Sequence, residues 1–307
     1  MDLYFAGSSI EIAEQEIKRL ECNRLFSNLN DRNDIMEWVE FLRKNPQYKG
    51  KFFIDSGAYS AYNLGKTVDV DDYIHFINEI GDVVEIFAQV DHIQDPDMTD
   101  AEKEICQQDT WENYLYMIDR LKPEYVDKLI PLYHAGENIK RLHNLLEWTH
   151  KDGHHIKYIG LGAPQRAYHN QRRQYFDEWF KIIKSSSNPD VKTHAFGCTD
   201  LEALEMFPIT SADSTTWLKT AVTGSIIVGK KTFLIGDRSF AKNDNYINRS
   251  KALRESIDKY VEDRGFTVEH LKSVDKDRLI FNIRVLKEWQ DNYVCKYNPV
   301  AEKVQLF

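Results

Sequence analysis

The 307 residues include 42% hydrophobic ones, enough to bury a large core, and the aromatic share of 12% argues against a disordered chain. No apolar run approaches the roughly 18 residues that span a membrane. The N-terminal segment turns acidic and helical too early for a signal peptide. The net charge of −9 argues against a surface coated with basic residues, but a local basic patch could still bind nucleic acid.

The strongest pattern is a repeated short apolar run that ends in Gly, Asp, His or Ser and is followed by an amphipathic helical stretch. The predicted strands are 3–6, 24–27, 52–54, 83–90, 129–133, 157–161, 193–196 and 209–212. The predicted helices between them are 10–20, 35–43, 70–80, 111–121, 139–150, 175–185 and 201–206. Strands that alternate with helices pair in parallel, and eight of them close a (β/α)₈ TIM barrel. An open doubly wound sheet is the alternative, although no GxGxxG follows the first strand.

The pattern changes after residue 213. Residues 224–236 predict a β-hairpin with its turn near Gly229 and Lys230, and helices are expected at 251–264, 268–271 and 278–293. We therefore expect a catalytic barrel domain over 1–240, including the hairpin, and a C-terminal helical segment over 241–307 packed on it. The cysteines lie far apart without a CxxC or CxC, which predicts a reduced, cytoplasmic protein without a local zinc knuckle; they are Cys22, Cys106, Cys198 and Cys295.

Two aspartates stand at predicted strand ends, where the working residues of such a barrel lie. Asp55 follows an apolar strand in FFIDSGAYSAY, and Asp213 does so in PITSADSTTWLK. A partly desolvated carboxylate there could act as acid, base or nucleophile. Each could instead be a helix cap or turn residue. After Asp55, Ser56 and Gly57 could contact a ligand, because glycine lets the backbone approach closely, and Tyr59 could stack on a planar ring or pack in the core.

Other polar residues end further strands. Asp91 could accept hydrogen bonds from a base or bind a metal, and His134 ends the strand in LIPLYHAGE. A metal site built from Asp91, His134, His92 and His194 is conceivable, but no HxH or HExxH supports it, and none is expected. The backbone of Gly160, Leu161 and Gly162 could approach a ligand or form only a tight loop.

Basic residues are concentrated after the sixth and eighth strands and in the hairpin. Interleaved with tyrosines, they suit phosphate and base contacts, although a solvated helix face is the alternative. We expect the following near the mouth or its rim: Arg166, Arg172, Arg173, Lys219, Lys230 and Lys231.

Taken in order, these motifs resemble the tRNA-guanine transglycosylase superfamily, which forms (β/α)₈ barrels that exchange guanine in a polynucleotide for a 7-deazaguanine base. The family's DSGG motif after the third strand corresponds to DSGAYS, residues 55–60, and its nucleophile motif to Ala-Asp-Ser, residues 212–214. The preceding strand and leucine-rich helix correspond to 194–207, and the base-recognising aspartate to Asp91. The Gln-Gly-Gly segment corresponds to 134–136 and the next glycine-rich segment to 160–163, while Lys219 stands where the family has a phosphate-contacting Arg. The similarity covers roughly residues 50–220.

The departures from the family shape the expectation. Ala58 replaces the second Gly of DSGG, Ser60 replaces the motif's Gln, and His134 replaces the Gln after the fifth strand. The zinc subdomain of the tRNA enzymes, with its CxCxxC, is missing. A shorter relative without that module looks more like the bacteriophage-type 7-deazaguanine DNA transglycosylases, which would place it in a host cytoplasm.

The resemblance implies a role for each residue. Asp213 would be the nucleophile and Asp55 the general acid and base, with Asp91, His134, Tyr59 and the glycine-rich segment at the base. The partners would be DNA, or alternatively tRNA, and a free base such as 7-cyano-7-deazaguanine, with neither a cofactor nor a membrane. Alternatives are a tRNA transglycosylase without the zinc module, a non-catalytic nucleic-acid- or base-binding barrel, and a metal-dependent hydrolase.

Overall fold

Strands and helices alternate along the chain, and the strands of the main sheet pair in parallel. This computed structural model describes residues 1–95, 97–162, 169–198, 200–236 and 245–297. In chain order the strands of that sheet are β1 (Asp2–Ala6), β2 (Asn23–Ser27), β3 (Phe52–Asp55), β4 (Ile86–Ala88), β5 (Leu129–Ile130), β6 (Leu132–His134), β7 (Tyr158–Gly162), β8 (Lys192–Phe196) and β9 (Ser211–Ser214). All eight predicted strands are confirmed.

The sheet closes on itself through the chain on either side of Pro131. Its strand order is β5-β4-β3-β2-β1-β9-β8-β7-β6, and only Pro131 separates β5 from β6. β5 pairs with β4 while β6 pairs with β7, so residues 129–134 act as one barrel strand. The Pro131 carbonyl accepts the N–H of Gly160 at 2.8 Å, but proline has no N–H to donate in return. The fold is the predicted (β/α)₈ TIM barrel.

Helices follow the strands and cover the outside of the barrel. They are α1 (Glu11–Arg19), α2 (Arg32–Lys44), α3 (Ala58–Asn63), α4 (Val70–Ile80), α5 (Asp100–Ile118), α6 (Pro123–Val126), α7 (Ile139–Glu147), α8 (His169–Ser185), α9 (Leu201–Met206), α10 (Thr216–Val222), α11 (Lys251–Glu262), α12 (Val268–Ser273) and α13 (Asp275–Asp291). None of these described helices combines the length and apolar character needed to cross a bilayer.

Alternating side chains of the strands build two apolar layers. One set points into the barrel, with Tyr4, Phe53, Ile86 and Leu132 among its members. The other set faces outwards and packs under the helices in a much larger cluster. This alternation with a period of two residues is what decides which polar side chains can reach the barrel axis.

One ion pair is buried between the barrel wall and α1. The Arg24 side chain is completely buried, and its guanidinium donates to both Glu14 oxygens and to the Phe5 and Leu25 carbonyls. The Trp38 indole N–H also donates to Glu14, at 2.9 Å. The pair therefore holds α1 and α2 against the barrel strands.

A β-hairpin and the C-terminal helices pack on the barrel. The predicted hairpin forms as β10 (Ser225–Val228) and β11 (Lys231–Leu234), which pair antiparallel. Helix α13 packs against α1, α10 and β10. Near its carboxyl end, Gln290 accepts the Leu3 N–H at 3.3 Å, which puts that end of α13 at the amino-terminal face of the barrel.

Candidate functional site

Four polar residues lie where strands end at the carboxyl face of the barrel. Asp55 is the last residue of β3, His134 is the last of β6, and Asp213 is the penultimate residue of β9. Asp91 lies three residues beyond the end of β4. Because these strands run parallel in one closed sheet, their carboxyl ends share one mouth, the face on which TIM-barrel enzymes carry their active sites.

Asp55 is a half-buried carboxyl group whose Oδ2 accepts the Gly57 N–H at 3.1 Å. Burial raises its pKa, the negative charges of Asp91 and Asp213 raise it further, and backbone N–H groups only partly oppose this, so that the pKa is about 7. The effect of these charges shows that Asp91 and Asp213 lie near Asp55 at the mouth. A carboxyl group with a pKa near neutrality can both give and take a proton.

The shifted pKa of Asp55 makes a prediction about stability. The folded-state pKa of about 7 exceeds the ordinary 3.8, so the folded protein holds this proton between those pH values more tightly than the unfolded chain. Ionising Asp55 therefore destabilises the fold, with no penalty below pH 4 and the full penalty above pH 7. We expect Asp55→Asn to raise stability at pH 8 by on the order of 2 kcal/mol, with little gain at pH 4.

Thermal denaturation of both proteins at the two pH values measures this difference. Asp69→Asn is the matched control, because Asp69 is an exposed carboxylate that caps α4. An equal gain at both pH values, or a loss at pH 8, would contradict the assignment.

Gly57 gives the turn after Asp55 its shape. Its φ is +85°, and α3 begins at the next residue. A Cβ at this position would lie 2.5 Å from Leu29 Cβ and 2.8 Å from Ser27 Oγ. Ser56 beside it is buried, and its Oγ accepts the Ala58 N–H at 3.3 Å. These two residues therefore shape the turn that orients Asp55.

Substituting Gly57 with alanine is expected to cost about 2–4 kcal/mol, from the positive φ and from overpacking. Gly65→Ala is the matched control, because Gly65 also has a positive φ, +63°, but nothing lies within 4 Å of its added Cβ. That control is expected to cost only about 1–2 kcal/mol. Denaturant titrations compare the two variants, and equal losses would show that close packing at Gly57 contributes nothing.

Asp213 is held by a hydrogen-bonded network inside the barrel. Its Oδ1 accepts the Gly197 N–H at 2.7 Å and lies 3.3 Å from His194 Nε2. His194 Nδ1 is 2.6 Å from Ser211 Oγ, which is 2.5 Å from the Tyr158 hydroxyl. Among the described residues, Oδ2 of Asp213 makes no hydrogen bond.

Sequence reasoning missed most of this network. It considered His194 only as a metal ligand, and it gave Ser211 and Tyr158 no role. A usable signal was present, since Ser211 and Asp213 are two residues apart on one strand and therefore point to the same side. In the structure His194 is fully buried, with the Phe53 and Phe196 rings 4.7 and 4.4 Å from its own.

Asp91 and His134 form a second pair at the mouth. His134 Nε2 lies 2.9 Å from Asp91 Oδ2. Burial lowers the pKa of His134, but the hydrogen bond and charge of Asp91 outweigh burial, and the net effect raises that pKa above its ordinary value. The Asp91 side chain is only 7% exposed, whereas that of His134 is 33% exposed, so the imidazole is the part that a ligand meets.

The glycines of strand β7 make room for neighbouring side chains, whereas the sequence predicts that their backbone contacts a ligand. The Gly160 N–H donates to Pro131 and the Gly162 carbonyl accepts from Ala135, both at 2.8 Å, so the sheet already uses these backbone groups. A Cβ on Gly162 would lie 2.2 Å from His134 Nδ1, so this glycine makes room for the imidazole. The Leu161 side chain is buried in the outer core. We therefore correct the expected backbone contact with the base to a role in shaping the pocket.

The predicted basic residues do not gather at one place. Lys219 is exposed in α10, within two turns of Asp213, and Lys231 is exposed on the hairpin. Arg172 is buried, with its charge near the Cys198 thiol. Arg166 lies outside the described residues.

Two of these cations already have acidic partners. Arg173 Nη2 lies 2.9 Å from Glu202 and 3.3 Å from Asp200. Lys230 Nζ lies 2.6 Å from Glu205, near the carboxyl end of α9 and the amino-terminal face. The expectation that Lys230 lies near the mouth is therefore corrected, because its hairpin turn folds towards the opposite face.

An aromatic rim borders the mouth beside Asp55. Tyr59 is 48% exposed on α3, and Tyr62 and Leu64 follow it as exposed residues. The Tyr62 hydroxyl donates to Asp95 at 2.5 Å, which ties α3 to the loop after β4. Tyr59 is thus free of the core and can stack on a planar ring.

The metal site considered from the sequence does not form among the described residues. His194 is engaged by Asp213 and Ser211, and His134 by Asp91. These histidines belong to no group of three ligands close enough to share an ion in the described part of the chain.

Comparison with known proteins does not assign the chain to a family. No family model and no curated protein matches this chain. The chemistry of the mouth therefore rests on its own geometry: one carboxyl group with a pKa near neutrality, and a second whose Oδ1 is held by an N–H while its Oδ2 faces no described donor.

Proposed function

We propose that the protein is a base-exchange transglycosylase that replaces guanine in DNA with a 7-deazaguanine base. The observation that carries the proposal is the pairing of Asp55 and Asp213 at one mouth, close enough for the charge of one to raise the pKa of the other. A proton-donating carboxyl group and a nucleophilic carboxylate at one site are what a retaining double displacement at a sugar carbon needs.

In the first displacement, Asp213 attacks C1′ of the target deoxyguanosine. Its Oδ1 stays on the Gly197 N–H while Oδ2 forms the new bond to C1′. The bond from C1′ to N9 of guanine breaks, and guanine leaves with the electron pair. Asp55, whose raised pKa of about 7 keeps a substantial protonated fraction at neutral pH, supplies a proton to the departing base.

The second displacement reverses these steps with the incoming base. Ionised Asp55 takes the proton from N9 of the 7-deazaguanine, and that nitrogen attacks C1′. The bond to Asp213 breaks, which restores the free carboxylate. Two inversions give retention of configuration, so the modified nucleotide keeps the natural linkage. The proton balance closes without any further reactant.

The other residues of the mouth suit a flat heterocycle. The Asp91–His134 pair offers a carboxylate and an imidazole at the base edge, and Gly162 leaves room for the imidazole ring of His134. Exposed Tyr59 supplies a stacking surface. Because the target atom lies inside a duplex stack, the nucleotide has to flip out or be presented in single-stranded DNA.

Few basic residues are available to bind the phosphates of DNA in this proposal. Lys219 is exposed in the helix that follows Asp213, so it can reach the backbone next to a flipped nucleotide. Arg173 and Lys230 are neutralised by acids, and the chain as a whole carries a charge of −9. We therefore expect weak, salt-sensitive binding that depends on a few cations.

An exchange assay tests the function directly. The purified protein is incubated with single-stranded DNA, duplex DNA or unmodified tRNA, together with labelled guanine or 7-cyano-7-deazaguanine, and nucleosides are analysed by mass spectrometry. We expect incorporation into DNA and none into tRNA. Incorporation into tRNA alone would support the tRNA enzyme instead. Binding without incorporation would support a non-catalytic barrel.

A further inference from the structure

A second cluster of chemically active side chains lies on the opposite face of the barrel. Asp127 precedes β5 by two residues, and His150 and His154 lie in the loop that leads into β7. All three therefore stand at the amino-terminal ends of their strands, away from the mouth with Asp55 and Asp213. The cluster takes no part in the proposed base exchange.

A tight turn brings the two histidines together. The His150 N–H donates to the His154 carbonyl, and the Gly153 N–H donates to His150, both at 2.8 Å. Gly153 has a φ of +87°, which the turn requires. The two imidazole rings stack with centroids 4.4 Å apart and an interplanar angle of 22°.

Asp127 completes a set of three ligand atoms. One ligand atom from each residue lies within 4.8 Å of the other two, and His154 Nε2 is 3.0 Å from Asp127 Oδ1. Zinc binds histidine nitrogen and carboxylate oxygen at about 2.0–2.2 Å. Ligand atoms around one such ion lie about 3.3–3.5 Å apart, so small side-chain rotations suffice.

A fourth residue orients one of the ligands from behind. His154 Nδ1 lies 2.5 Å from Asp152 Oδ1, so Nδ1 would donate its proton to Asp152 when Nε2 binds an ion. A carboxylate behind a histidine is the usual second partner of a metal-binding imidazole. Lys157 Nζ contacts the other Asp127 oxygen, Oδ2, at 2.5 Å, which leaves Oδ1 for an ion.

We propose that Asp127, His150 and His154 bind a divalent transition-metal ion of the zinc type, with water in the remaining position. Two imidazoles and one carboxylate suit zinc, cobalt or nickel better than magnesium or calcium, which prefer oxygen ligands. The ion fastens the turn at 150–154 to the segment before β5. Its role is structural, as expected of the amino-terminal face of such a barrel.

Calorimetric titration of zinc chloride into the tag-free, chelator-treated full-length protein tests the site. We expect one zinc ion per chain, and at least a tenfold weaker affinity in His150→Gln and in His154→Gln. Asp152→Ala removes no ligand atom, yet we expect it to weaken binding by about tenfold to a hundredfold. His143→Gln is the matched control, because His143 is exposed on the neighbouring helix α7 and outside the cluster.

Two further measurements keep the result interpretable. Circular dichroism without metal shows that each variant is folded. Cobalt should give the intense visible bands of a four-coordinate ion in the wild type and in His143→Gln, but not in His150→Gln or His154→Gln. Absence of zinc binding, or binding that survives both histidine substitutions, would overturn the proposal. Base exchange is not the readout, so either proposal can fail without the other.

Discussion

Replacing Asp213 with asparagine is expected to lower base exchange by at least about 10⁴-fold, the size of loss seen when a covalent nucleophile is removed. The asparagine amide has the same shape and can still accept the Gly197 N–H, but it lacks the charge that attacks C1′. The network through His194 should therefore keep its place while the chemistry stops. This makes the substitution a test of chemistry more than of folding.

Intact-protein mass spectrometry after mixing with guanine-containing DNA measures the covalent adduct, and labelled guanine measures exchange. We expect the wild type to show an adduct when no incoming base is supplied, and Asp213→Asn to show none. Asp69→Asn, which changes an exposed helix-capping carboxylate, should exchange at the normal rate. Exchange at the wild-type rate in Asp213→Asn would reject this residue as the nucleophile.

The largest expected loss of stability comes from Glu14→Ala. This change leaves the fully buried Arg24 guanidinium without its carboxylate and takes the acceptor from the Trp38 indole. An uncompensated buried charge costs about 3–5 kcal/mol. Denaturant titration followed by circular dichroism measures the loss. Glu40→Ala is the control, because Glu40 pairs with Lys44 on the exposed side of α2, where solvent screens the pair and it contributes little to stability.

A double variant separates the buried charge from simple packing. Arg24→Met combined with Glu14→Leu removes both charges and keeps apolar volume between α1 and the barrel. We expect it to be more stable than Glu14→Ala alone, since replacement of a buried pair by apolar side chains is often close to neutral. If the double variant loses as much as the sum of both single changes, the unpaired charge is not the cause.

The barrel was predictable from the sequence because its signal is local. Each strand is a short apolar run that ends in a polar or small residue, and each is followed by an amphipathic helix, so order and approximate position follow without knowledge of contacts. Boundaries were harder. Helix α5 begins at Asp100, well before the predicted start at 111, because Thr99 and Glu102 form a capping box in a segment that lacks apolar periodicity.

The candidate site was predictable only in part. Strand ends identify Asp55, Asp91, His134 and Asp213, since position along a parallel strand decides which face a residue reaches. The buried relay through His194 required knowledge of which strands are neighbours and of their register, as in the pairing of His194 with Ser211. Single-sequence patterns do not contain that register.

Charge pairing was the least predictable feature. The charge of Lys230 is neutralised by Glu205, which lies 25 residues earlier in the sequence. Lys296, 91 residues after Glu205, contacts the same carboxylate. No local pattern reveals such partners. The same holds for Gly162, whose lack of a side chain matters because His134 on the neighbouring strand lies against it.

The proline in the barrel wall has a consequence for how the mouth opens. Backbone pairing with β4 ends at Ile130 and pairing with β7 starts at Leu132, so the two ladders of this barrel strand meet at Pro131 without overlapping. At the mouth, a hydrogen bond between side chains joins Asp91, which follows β4, to His134, which ends β6. A base that accepts a hydrogen bond from His134 or donates one to Asp91 would break this link between the two side chains. We therefore expect base binding at the mouth to increase the local motion of the barrel wall next to Pro131.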